Sequence, residues 1–156
     1  GVFDACRRAQ ALGYRLVIVT NQSGIGRGLY SEPDFALLTN WMLARFAAER
    51  IGGLHVYYEP SHPTEGIGPY RRASERRKPN PGMLFEARDD LGLDLEASVM
   101  VGNGEDDIAA GRSAGVGRLV LISSAPPNLA SFAHFTCGSL LEAVGWIEKT
   151  DAGKSG

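Results

Sequence analysis

The sequence predicts a three-layer α/β protein built on a doubly wound parallel sheet. Two observations carry that reading. Apolar strands alternate with amphipathic helices along almost the whole chain, and strands separated by helices pair in parallel. Two of those strands, VIVT at 17–20 and VMVG at 99–102, run straight into polar residues and glycine. Strands end that way where a ligand sits beyond the carboxyl ends of such a sheet. The 156 residues, 44% hydrophobic and 22% charged, suffice for one domain with its own core.

Each element follows from local pattern. VFDACRRAQAL (2–12) sets Val2, Phe3, Cys6, Ala9 and Leu12 at helical spacing, and Gly13 ends that helix. RLVIVT (15–20) is the first strand. Ser31 caps the next helix, with Asp34 three residues on as a short capping box. That helix runs from about Pro33 to Glu49 and is expected to bury Phe35, Leu38, Met42 and Phe46. LHVYY (54–58) is a strand, followed by a long loop from Glu59 to Pro79. Asn80 is expected as an N-cap with Pro81 at the first helical position, opening a helix to about Leu91. SVMVGN (98–103) is a strand, Asp106 to Ala114 a short helix, RLVLI (118–122) a strand and SLLEAVGWIEK (139–149) the last helix. The domain thus spans 1–149, and residues 150–156 are expected to be a flexible, frayed tail.

Bulk chemistry narrows the classes. A net charge of −2 and a pI near 5.9 argue against a protein that chiefly grips nucleic-acid backbone. Cys6 and Cys137 stand far apart in no metal-like spacing, as reduced cysteines of a cytoplasmic protein do. No apolar run reaches the ~20 residues of a membrane span, so no membrane partner is expected. Oligomeric state is not legible.

The strand tip at Thr20, Asn21, Gln22 and Ser23 offers hydroxyls and amides in a row, and Gly24, Gly26 and Gly28 let the backbone turn close to a ligand. The loop before the next helix carries Arg71, Arg72, Arg76, Arg77 and Lys78. Asn103 follows the second polar-tipped strand, and Glu105, Asp106 and Asp107 open the helix after it. Converging over one sheet edge, these groups would suit a phosphate beside a divalent cation. Spacing alone leaves alternatives open. TNQSG is equally a strand-to-helix turn, the basic run a solvated loop, and GEDD a first turn that favours the helix dipole.

The order of the motifs resembles a family. TNQSGIGRG, RKPNPGM and VGNGEDDIAAGRSAG are similar to the second, third and fourth motifs of haloacid dehalogenase (HAD) superfamily phosphatases, which have a Rossmann-like fold. Within them the chain resembles the histidinol-phosphate and D-glycero-D-manno-heptose 1,7-bisphosphate phosphatases. The resemblance implies a Mg²⁺-dependent hydrolase of a small sugar phosphate or bisphosphate. It implies that Thr20 and Asn21 hold the phosphoryl group, Lys78 neutralises its charge, Arg77 assists with substrate, and Asn103 and Asp107 belong to the magnesium motif.

Three departures qualify it. Relatives open with a strand ending in DxDGT, which supplies the nucleophile and the acid/base. No such motif occurs in this chain, and the strand that carries it is central in the fold, between RLVIVT and SVMVGN. A sheet lacking it would leave backbone groups unpaired on two edges, so either a segment of roughly two dozen residues ahead of Gly1 is expected to complete the fold, or something else fills the gap. Asn103 stands where relatives carry Asp, so magnesium is expected to be weakly held or absent. Zinc-binding relatives carry Cys and His where this chain has Glu59, Ser61, Ser74 and Arg76, so no zinc is expected. Three readings follow: an incomplete copy of a sugar-phosphate phosphatase, an inactive phosphate- or partner-binding module, and a phosphatase of nucleic-acid ends.

Overall fold

The computed structural model describes residues 1–124 and 131–153. The chain runs α1 (Val2–Ala11), β1 (Val17–Asn21), α2 (Ser23–Gly26), α3 (Glu32–Ala48), β2 (His55–Glu59), α4 (Gly82–Leu91), β3 (Val99–Gly102), α5 (Glu105–Ser113), β4 (Arg118–Ile122), β5 (Phe135–Cys137) and α6 (Leu140–Ala152). All strand pairs among the described residues are parallel. β1 pairs with β2, Val17 opposite His55 and Asn21 opposite Glu59. β3 pairs with β4, and β4 with β5.

Helices cover both faces because the strands alternate. On β4, Leu119 and Leu121 join Met100, Ile108 and Val116 under α5. Val120, between them, packs with Cys137 and Ala143 on the α6 side. Adjacent strand residues point to opposite faces, so one strand feeds two cores. α1 lies against α6 through Ala5, Ala9 and Val144, and Arg8 reaches Glu148 at 2.8 Å. The expected three layers are present.

The sheet is in two pieces. β1 and β2 form one, and β3, β4 and β5 the other. Between the facing edges of β1 and β3 lies a cleft of about 650 Å³, lined by Val17, Val19, Val99 and Val101 and floored by α1 and α6 through Ala5 and Val144. It lies where the central strand was expected to be missing. An unpaired strand edge is a row of free donors and acceptors, and here two such edges flank one apolar slot.

Several local expectations hold. Ser31 caps α3, its Oγ accepting from Asp34 N–H, while Asp34 accepts in turn from the Ser31 N–H. Ser31→Ala should cost about 1 kcal/mol, read as a lowered urea midpoint at unchanged slope.

Others are corrected. Leu38 is 59% exposed. Phe35 packs tilted against Tyr58 at 4.8 Å and Phe46 edge-on against Phe3 at 5.2 Å, and Leu38 lies about 60° round the helix from that line. Pro81, not Asn80, is the cap of α4, because the Asn80 amide is drawn to Ser74 O. The expected tail is helical through Ala152: Arg118 holds Thr150 at 2.6 Å and Asp151 at 2.8 Å, and Tyr14 donates to Asp151. Residues 154–156 of that tail lie outside the described residues.

Candidate active site

β1 ends in Thr20 and Asn21 beside the cleft. The Asn21 amide lies along the Lys78 backbone: Lys78 N–H donates to Asn21 Oδ1 and Asn21 Nδ2 donates to Lys78 O, both at 3.0 Å. Asn21 thus pins the loop residue to the strand. The amide, expected from the resemblance to face a phosphate, meets these partners on a segment 57 residues away. The Lys78–Pro79 peptide is cis.

From that anchored backbone the Lys78 side chain turns into the end of the cleft. Its Nζ donates to Val19 O at 2.8 Å and to Asp107 Oδ1 at 2.5 Å. The two side chains are each only 12% exposed, and an ion pair so shielded is weakly screened by salt. Asp107 Oδ2 accepts from the Asn103 and Gly104 N–H groups at 3.0 and 3.2 Å. The β1 tip, the loop before α4 and the start of α5 therefore meet at one point, as the motif order predicts.

Other candidates stand elsewhere. Gln22 caps α2 and donates to Thr20 Oγ1 at 3.0 Å, while its own oxygen accepts from Tyr30. Ser23 opens α2, its carbonyl accepting from Arg27 N–H. Arg77 donates to Ser61 O at 3.3 Å. Arg76 pairs with Glu86. Arg71, Asn103, Glu105 and Asp106 are exposed. The glycines are explained by crowding: a Cβ on Gly26 would stand 2.4 Å from Pro60 O. Gly28 has φ +75°, which L side chains avoid.

Magnesium does not fit the described residues by themselves. Asn103 and Asp107 supply one amide and one carboxylate, and both carboxylate oxygens already hold hydrogen bonds. No group of three His, Cys, Asp or Glu suited to a metal ion occurs among the described residues.

Sequence reasoning missed the importance of Glu59, the last residue of β2. It is fully buried, yet charged. Burial pushes its carboxyl up, but hydrogen bonds from Ser61 and Ser74 and the Arg72 charge outweigh that and bring it below its ordinary 4.5. The unfolded chain has the ordinary value, so this carboxylate stabilises the fold above pH 4.5, and the contribution is lost as pH falls through the lower folded value. The Ser61 amide proton, which donates to Glu59, should therefore titrate by NMR with a midpoint below 4.5. A midpoint at or above that value contradicts the assignment. A charged residue closing the strand LHVYY was the signal available in the sequence.

A parallel sheet with a basic-acidic site beyond its strand ends suits the HAD-like class, and the HAD-hydrolase-like family model matches residues 75–125. The D-glycero-alpha-D-manno-heptose-1,7-bisphosphate 7-phosphatase of Burkholderia mallei is 52% identical over 122 residues, 78% of this chain and 65% of that protein. The D-glycero-beta-D-manno-heptose-1,7-bisphosphate 7-phosphatase of Salmonella typhi is 41% identical over 152 residues, 96% of this chain and 81% of that one. The chain belongs to the D-glycero-D-manno-heptose-1,7-bisphosphate 7-phosphatase family, although it spans only 65% of the Burkholderia protein.

Two solved structures agree in fold. A Mesorhizobium loti protein assigned as a HAD-like phosphatase superposes with a TM-score of 0.81 at 33% identity, over 94% of this chain and 72% of its own. The D,D-heptose 1,7-bisphosphate phosphatase of B. bronchiseptica, solved with magnesium and phosphate, gives 0.74 at 23% identity over 96% and 83%. At that identity the likeness is one of fold. No helix among the described residues is long and apolar enough to cross a membrane.

Proposed function

We propose that this chain is the larger part of a phosphomonoester hydrolase acting on a heptose 1,7-bisphosphate. A strand outside residues 1–156 would fill the cleft between β1 and β3 and bring the nucleophile. One observation carries the reading: the slot between two open parallel edges ends at Lys78 and Asp107. A carboxylate at the tip of an inserted strand would arrive beside an ammonium group already aimed there.

The chain's own residues then have defined tasks. Lys78 offers a full positive charge to phosphoryl oxygens, which gain charge as the bond to the leaving oxygen breaks. The Thr20 hydroxyl donates from the adjacent strand tip. Asn21 fixes the Lys78 backbone, and Asp107 holds the ammonium between turnovers. A divalent cation, when bound, neutralises phosphoryl charge; here it would need ligands beyond Asn103 and Asp107, from the phosphate, water and the inserted strand. In the long loop, Glu59, Ser61, Ser74 and Arg76 lie close enough to bond one another, which supports a loop organised without zinc.

The heptose-bisphosphate relatives favour this over the binding-module and nucleic-acid-end readings. The test is to place a DxDGT-ending strand ahead of Gly1 and offer the protein a heptose 1,7-bisphosphate and a DNA 3′-phosphate end. Phosphate release from the sugar alone is expected. Release from DNA alone, or from neither, overturns the proposal.

A further inference from the structure

Glu59 has no part in the chemistry above, yet it is the most deeply buried charge in the described chain, with no exposed surface. A buried carboxylate is costly unless its oxygens are satisfied. Here Oε1 accepts from Ser61 N–H at 2.8 Å, and Oε2 accepts from Ser74 Oγ–H at 2.8 Å. Arg72 approaches Oε1 at 3.9 Å. One side chain thus ties both ends of the segment between Ser61 and Ser74 to the end of β2.

The bonds continue toward the phosphate end of the cleft. Ser74 Oγ accepts from Arg76 N–H at 3.2 Å. Ser74 O accepts from Arg77 N–H at 3.2 Å and from Asn80 Nδ2 at 3.1 Å. The Arg77 guanidinium donates to Ser61 O. On the strand side, the backbone carbonyl of Glu59 accepts from Gln22 N–H at 2.8 Å, next to the Asn21 clamp on Lys78. The path from Glu59 to Lys78 therefore runs through the loop and through β1.

We propose that Glu59 is a positioning residue: its buried carboxylate closes the loop onto β2 and so fixes where Arg77 and Lys78 stand. The proposal rests on the reading of Lys78 as the phosphate ligand only for its functional consequence. The closure itself stands on geometry. Geometry also predicts which substitutions are tolerated. A glutamine can accept from Ser61 N–H with its oxygen and donate from its nitrogen to Ser74 Oγ, which can reverse its hydroxyl. An alanine can do neither, and leaves Ser61 N–H and Ser74 Oγ without a buried partner.

The experiment compares the full chain with Glu59→Gln, Glu59→Ala and Ser74→Ala, by amide hydrogen exchange and by sulfate titration at one pH and ionic strength. In Glu59→Ala, exchange over 60–77 should rise while β3, β4 and β5 keep their protection, and sulfate affinity should fall at least tenfold. Ser74→Ala, which keeps the buried charge, should show the same pattern to a smaller degree. Glu59→Gln should restore both protection and affinity. Three results overturn the proposal: unchanged exchange over 60–77 in both alanine variants, exchange rising evenly over the whole chain, or a glutamine variant as impaired as alanine. Should the wild type bind no sulfate, the phosphate reading of Lys78 fails, and the exchange pattern alone decides the role of Glu59.

Discussion

Residues 1–156 alone are expected to release no phosphate from a sugar bisphosphate. The same chain with a DxDGT-ending strand restored ahead of Gly1 is expected to turn over at an ordinary enzymatic rate, on the order of 1–10³ s⁻¹. Covalent phosphoryl transfer needs a nucleophile, and the carboxylate nearest Lys78 is Asp107, whose two oxygens are held by that lysine and by the Asn103 and Gly104 amides. The restored strand would also pair both edges of the cleft, so backbone amides of β1 and β3 on those edges should gain protection from exchange. Magnesium-dependent turnover by 1–156 alone would sink this expectation. So would a restored strand that leaves the edges exchanging freely.

Lys78→Ala is expected to weaken phosphate binding tenfold to a hundredfold. Charge-assisted hydrogen bonds are typically worth ~1.5–3 kcal/mol. Lys78 is better placed than a loop lysine usually is. Asn21 holds its backbone on both sides of the residue, and its shielded side chain enters the cleft end with a single carboxylate partner. Removing it also leaves Asp107 uncompensated, and that negative charge repels an incoming anion. Titration of phosphate into folded wild-type and Lys78→Ala protein at one ionic strength measures the effect. Equal affinities would show that the site lies elsewhere.

Much of this architecture was legible in the chain. Alternating strands and helices gave the parallel sheet, because period and length are local properties. The Ser31–Asp34 cap was readable because both partners lie within one helical turn. Three motifs, widely spaced, named the family, and the missing DxDGT strand pointed to a gap at the centre of the sheet. β5 was missed: three residues, Phe135–Cys137, are too few to show a period. Leu38 was misplaced because a helix with apolar residues on more than one face does not say which face is covered. The end of α6 was misplaced because Thr150 and Asp151 are ordered by Arg118 and Tyr14, far away in sequence.

The site divides along the same line. Sequence by itself determined which residue types were present and in what order: a polar strand tip, a basic arm rigid with proline, and an acidic helix start. It also showed that no DxDGT motif occurs within the 156 residues. Only the tertiary structure decided which of them meet. Asn21 became a clamp because Lys78 lies alongside it, and Lys78 found Asp107 because β1 and β3 face one another across an open slot. Glu59 keeps its charge in the interior because packing brings Ser61, Ser74 and Arg72 to its oxygens. Periodicity and capping act over a few residues and can be read from one segment. A buried charge or amide must take whatever partner packing brings to it, and that partner is fixed by the fold of the whole chain.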